Sequence, residues 1–185
     1  TTGQASVQNG VLNTTWNANG ATTITGVLSG SGGISVSSAA SLTASSEISA
    51  SVILNGGTLT ANNLLLSNGF NWLSGTVNGS GLTTSALATV QTVTLDSQWN
   101  AAGTTNISGD VAGTGSISIP VDAVLTANDN VISTNVSLSG GTLTANNLEL
   151  SSTFDWLSGL IDGTGLTTTG QASVQNGVLN TTWNA

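Results

Sequence analysis

The chain has 185 residues, none of them Lys, Arg, His, Cys, Met or Tyr, and a formal charge of −8. Without cations nothing neutralises phosphate, which argues against nucleic acid and against anionic membrane surfaces as partners. The missing cysteines exclude a disulfide framework, a thiolate metal site and a cysteine nucleophile, and no apolar run is long enough for membrane insertion.

The whole charge lies on Glu47, Asp96, Asp110, Asp122, Asp129, Glu149, Asp155 and Asp162. No ion pair to a basic side chain is possible, so packing and backbone hydrogen bonds must hold the fold. Gly and polar residues in this number can signal disorder. Val, Ile, Leu and Thr in short alternating patches, with a mean hydropathy of +0.24, predict a folded chain instead.

The first eighteen residues, TTGQASVQNGVLNTTWNA from Thr1, return unchanged from Thr168 to Ala185, so the repeat is 167 residues long. The simplest reading is a window on a longer tandem array. A looser repeat lies inside it. NTTWNANGATTITGVLSGSG from Asn13 matches DSQWNAAGTTNISGDVAGTG from Asp96, and Gly56 to Thr84 matches Gly140 to Thr168. The offset is 83 or 84, so residues 1–167 form one unit of two diverged halves, about 1–83 and 84–167. Residues 168–185 begin the next copy. Duplication of this kind predicts a solenoid.

Comparison of the halves separates inward from outward positions. Leu65 is replaced by Glu149, whereas Leu64 and Leu66 remain as Leu148 and Leu150. A slot that takes Leu or Glu is wet and its neighbours are dry, which is the two-residue period of a strand. Asn71 becomes Asp155 between Phe70/Trp72 and Phe154/Trp156, so these aromatics point inward together. Thr76 and Asn78 become Leu160 and Asp162 around Val77/Ile161, and Val27 becomes Asp110 beside Leu28/Val111. The predicted core therefore contains Leu64, Leu66, Phe70, Trp72, Leu148, Leu150, Phe154 and Trp156, in strands of about three to five residues.

Mid-patch aliphatics (Leu28, Leu42, Leu59, Val77, Val93, Val111, Leu125, Leu143, Ile161) predict a coil of about 17 residues, five to a half. A coil of about 21 would instead give four. Asn-Gly pairs begin at Asn9, Asn19, Asn55, Asn68, Asn78 and Asn176. They suit hairpins or solenoid corners, because both residues tolerate positive φ. No stretch holds a 3.6-residue apolar period, so helix is not expected.

GFNWLSGTVNGSGLTT and TFDWLSGLIDGTGLTT resemble the Trp- and Gly-containing repeats of large secreted bacterial surface proteins, the filamentous-haemagglutinin-type adhesins and autotransporter passengers. The resemblance implies a right-handed parallel β-helix at the cell surface. The near absence of charge and of variable insertions departs from many adhesins and favours a structural role over receptor binding. Fold class is thus expected to be all-β, a right-handed parallel β-solenoid without caps that continues head-to-tail.

No catalytic, cofactor-binding or metal-binding residue is assigned, and no cofactor is expected. The carboxylates are scattered and swap with neutral residues between halves, so they read as solvated faces and not as paired catalytic acids. Calcium would need several converging oxygens. Only Asp155 and Asp162, if brought together by adjacent turns, offer a start. Trp16 and Trp99 stand in polar contexts and are expected to be partly exposed. TxT triplets at Thr23, Thr58, Thr92 and Thr142 are spaced so that a threonine ladder would skip coils, against an ice-binding face. Sequons at Asn13, Asn78, Asn106 and Asn135 matter only in a host that glycosylates them.

The expected function is mechanical: a structural repeat of an extracellular filament, matrix fibre or surface stalk, eight to ten coils and about 40–50 Å per unit. Its expected partner is itself, head-to-tail, with at most weak divalent-cation or glycan contacts. The alternative is the stalk of a secreted adhesin whose binding domain lies outside this window. A polysaccharide-degrading β-helix enzyme is the remote third reading.

Overall fold

Alternation along the sequence becomes three inward-facing columns in space. The computed structural model describes residues 3–185, so Thr1 and Thr2, where the first copy of the repeated segment begins, lie outside the described residues. It is a parallel β-solenoid of about ten turns whose strands join one continuous ladder. The pairings are parallel, so the Asn-Gly pairs close no hairpin.

Each turn carries three strand positions. On face one Trp16, Ile34, Val52, Phe70 and Ala88 stack in register at intervals of eighteen residues. Face two stacks Thr22, Leu42, Leu59, Val77 and Leu95. Face three stacks Leu64, Leu82, Trp99, Ile117, Val136 and Phe154. The coil is therefore slightly longer than the expected 17. The step from Thr105 to Leu125 takes twenty residues, as does that from Thr22 to Leu42. The extra length sits in equivalent turns, closed by Ala40 N–H to Ser37 O at 3.0 Å and Ala123 N–H to Pro120 O at 3.2 Å.

Neither the four-coil nor the five-coil division of the half repeat holds. From Phe70 to Phe154 the chain passes fourteen strand positions, three to a turn, which is four and two-thirds turns. Phe70 accordingly stands on face one and its counterpart Phe154 on face three. The physical repeat is a strand plus a corner, about six residues, and the sequence repeat counts these pieces without regard to the turn they complete.

Corners differ from the expectation in two ways. Some strands run through them, as in Ser51–Leu66 and Phe70–Thr84, which extends them well past five residues. Positive φ falls on Gly56 and Gly79 of the Asn-Gly pairs, but also on Asn63, Asn147 and Asp129. These Asx corners stack: Asn147 Nδ2 donates to Asp129 Oδ1 at 2.9 Å, and Asn146 Nδ2 to Asn128 Oδ1 at 2.8 Å. Short polar side chains tolerate the left-handed region and pair with the corner above.

The interior is one continuous, mainly apolar cluster. Leu64, Leu66, Phe70, Trp72, Leu148, Leu150, Phe154 and Trp156 are all buried, at a gain of about 1.5–3 kcal/mol for each fully buried large aliphatic side chain. Aromatics concentrate in two layers. Phe70, Trp72 and Trp99 form one, with centroids 5.8 and 6.1 Å apart, and Phe154, Trp156 and Trp183 the other, at 6.1–6.3 Å.

Candidate functional site

Six of the eight carboxylates tie one turn to the next. Asp96 accepts from Thr114 N–H at 2.8 Å and from its hydroxyl at 3.0 Å. Asp110 accepts from Val131 N–H at 2.9 Å, Asp155 from Ser173 at 2.7 Å and Glu149 from Thr169 at 3.1 Å. Glu47 accepts from Ser67. Asp155 and Asp162 do not meet on adjacent turns. They sit on one turn, on faces three and one, beside Ser137 and Thr144 respectively. The reason is the six-residue strand-and-corner step, which carries a seven-residue separation round to another face. Among the described residues no three acids cluster as metal ligands.

The tryptophans offer no continuous platform for stacking a sugar. Trp72, Trp99 and Trp156 are buried, and Trp16 and Trp183 are half-buried. Trp99 thereby corrects the expectation of partial exposure. Its polar neighbours Gln98 and Asn100 alternate outward, while its indole reaches inward and donates from Nε1 to Thr84 Oγ1 at 3.0 Å. Trp183 and Thr168 repeat the arrangement at 3.0 Å. Sequence reasoning missed these threonines. The signal was present as a Thr and a Trp fifteen residues apart in each half.

What the turns do build is an outward strip of small polar groups. On face two Ser41, Thr58, Thr76 and Thr94 stack in one column. Thr23, Thr43, Thr60, Asn78 and Asp96 stack beside it, two residues along each strand. The strip occupies consecutive turns as a mixed ladder, while the TxT triplets themselves skip coils, as expected. Strict TxT matching fails because Ser and Asn stand at some rungs. The second half keeps one polar column on face one, Asn106, Thr126, Thr144 and Asp162, while the column beside it, Thr104, Val124, Thr142 and Leu160, holds two aliphatics.

Rungs about 4.8 Å apart present hydroxyl and amide groups that donate and accept hydrogen bonds. One carboxylate, Asp96, stands among the hydroxyl and amide groups of the first strip. Beside it the surface is only gently relieved. An open recess of about 390 Å³ lies among Leu65, Thr83, Gln98 and Asn100, with no titratable side chain in its lining.

Comparison with known protein families, with curated proteins and with solved structures finds no match to this chain.

Proposed function

We propose that the chain is a structural repeat of an extracellular bacterial filament, matrix fibre or surface stalk, built by head-to-tail continuation of one β-solenoid and without enzymatic activity. The observation that carries this reading is how the duplicated segment behaves. Its first copy forms strands at Ala5–Val7, Gly10–Val11 and Thr15–Ala18, and its second at Ala172–Val174, Val178–Leu179 and Trp183–Asn184. Both copies are turns of the same ladder, pairing with Thr22–Ile24 and with Phe154–Trp156.

Several features support a mechanical role. Backbone hydrogen bonds run along the axis from turn to turn, and mainly apolar side-chain stacks fill the interior, the combination that makes cross-β assemblies durable. Val174, Val178 and Leu179 of the last turn are exposed at 52%, 58% and 42%, and a following turn of the next unit would cover the inward ones. A chain without Lys or Arg gives trypsin-like proteases no cleavage site, which suits an exposed fibre.

Electron microscopy of the secreted gene product tests the proposal. Unbranched filaments that lengthen by about 45 Å for each added unit are expected. Short rods ending in a distinct globular tip would favour the adhesin stalk instead.

A further inference from the structure

We infer that in a tandem array each 167-residue unit joins the next turned by one of the three faces, so that three units, not one, complete the structural period. The inference rests on the tandem-array reading proposed above, but its evidence lies inside this chain. The strand Ala5–Val7 pairs with Thr22–Ile24 on face two, whereas its twin Ala172–Val174 pairs with Phe154–Trp156 on face three. Gly10–Val11 pairs with Leu28–Ser29 on face three, and the twin region pairs Val178–Leu179 with Leu160–Ile161 on face one. Trp16 pairs with Ile34 on face one, and Trp183 with Leu166 on face two.

All three strands of the duplicated segment shift by one face in the same sense. Between Ala5 and Ala172 the chain passes twenty-eight strand positions, three to a turn, which is nine and one-third turns. Twenty-eight is not divisible by three, so identical sequence cannot return to the same face after one unit. At about 4.8 Å per turn a unit advances about 45 Å, and the true period is twenty-eight turns, about 135 Å.

The consequence is a surface shared among the faces. The outward polar strip occupies face two in the first half, through Thr60 and Asn78, and face one in the second, through Thr144 and Asp162. The next unit places its first strip on face three. Any one face then shows a strip only once in fourteen turns, about 67 Å. A second fibre lying alongside meets no continuous strip on any face, whereas a partner that wraps the fibre meets one every four and two-thirds turns.

A chain of three fused units, solved by cryo-electron microscopy, tests this directly. Thr60 is expected on face two in the first copy, on face three in the second and on face one in the third. A continuous solenoid with Thr60 on one face throughout would overturn the inference and leave the array reading standing. A ladder that breaks between copies would overturn the array reading and the phase with it. A second chain, in which each unit loses one strand and its corner, has twenty-seven positions and is expected to bring every Thr60 onto one face.

Discussion

Trp99 Nε1 donates to Thr84 Oγ1 at 3.0 Å inside the solenoid, and Trp183 Nε1 donates to Thr168 Oγ1 at the same distance eighty-four residues later. Thr84 is 1% exposed and Thr168 5%, so water cannot stand in for either hydroxyl. Trp72 meets Trp99 edge-on at 68°, and Trp156 meets Trp183 at 65°. Trp72 and Trp156 leave their own Nε1 groups without a hydrogen-bond partner. Each aromatic layer thus contains one paired indole and one that contributes packing alone.

The pairing predicts an asymmetry between the tryptophans. Thr84→Val keeps the shape but orphans the buried Trp99 donor, at a cost of about 1–3 kcal/mol. Thr84→Ser, which retains the hydroxyl, should recover most of that loss. Trp99→Phe should cost about 1 kcal/mol more than Trp72→Phe, because only the former breaks a hydrogen bond. Urea denaturation of the chain followed by tryptophan fluorescence measures each difference. Equal midpoints for the wild type and Thr84→Val would remove the pair from the account.

What the sequence made legible and what it hid divide along a physical line. The exchange of Leu65 for Glu149 between dry neighbours exposed the strand period, because a charge enters only a wet slot. The same logic could not reveal the turn. Strand-to-corner spacing is local, but the number of strands per turn depends on corner angles, which Asn, Gly and Asp permit without dictating. The polar strip was hidden for a related reason: its rungs are neighbours in space through Ser41, Thr58, Thr76 and Thr94, seventeen or eighteen residues apart, and their side chains are not identical.

Two corners hold ordinary residues in the left-handed region, Ala39 and Asp122, both at φ 65°. They are equivalent positions in the two halves, each third in a four-residue turn. A non-glycine residue there costs roughly 1–2 kcal/mol, partly offset by the chain entropy that glycine would add to the unfolded state. Ala39→Gly should therefore stabilise the chain by about 0.5–1 kcal/mol. Asp122→Gly should gain less, since a short polar side chain tolerates this conformation better. Thermal unfolding of the two variants tests both sign and order, and a lowered midpoint for Ala39→Gly contradicts the strain argument.

Gly79 makes the opposite case. Its φ is 106°, and a Cβ there would stand 2.3 Å from the carbonyl oxygen of Ala61 on the preceding turn. That oxygen is backbone and cannot swing aside. Gly79→Ala should cost roughly 2–5 kcal/mol from strain and overlap together. Gly69→Ala is the control: nothing lies within 4 Å of its added Cβ, and it should be neutral or slightly stabilising. Similar losses from both variants would show that the damage is not steric.

Charge should govern how the proposed fibres meet. Every ionic side chain is acidic, and Asp96, Asp110, Asp122, Asp129 and Asp162 are exposed. Parallel fibres of the proposed kind would repel one another with no cation of their own to answer, over about 8 Å at physiological ionic strength. Divalent cations shared between carboxylates of neighbouring fibres should overcome this more effectively than monovalent salt. Filaments are expected to stay dispersed in chelator at low salt and to bundle in millimolar magnesium or calcium. Replacing Asp96, Asp110, Asp122, Asp129 and Asp162 together by Asn should sharply weaken the divalent response while leaving single filaments intact. Turbidity and negative-stain images at matched ionic strength decide the matter: bundling that is the same in sodium as in magnesium would mean that bridging plays no part.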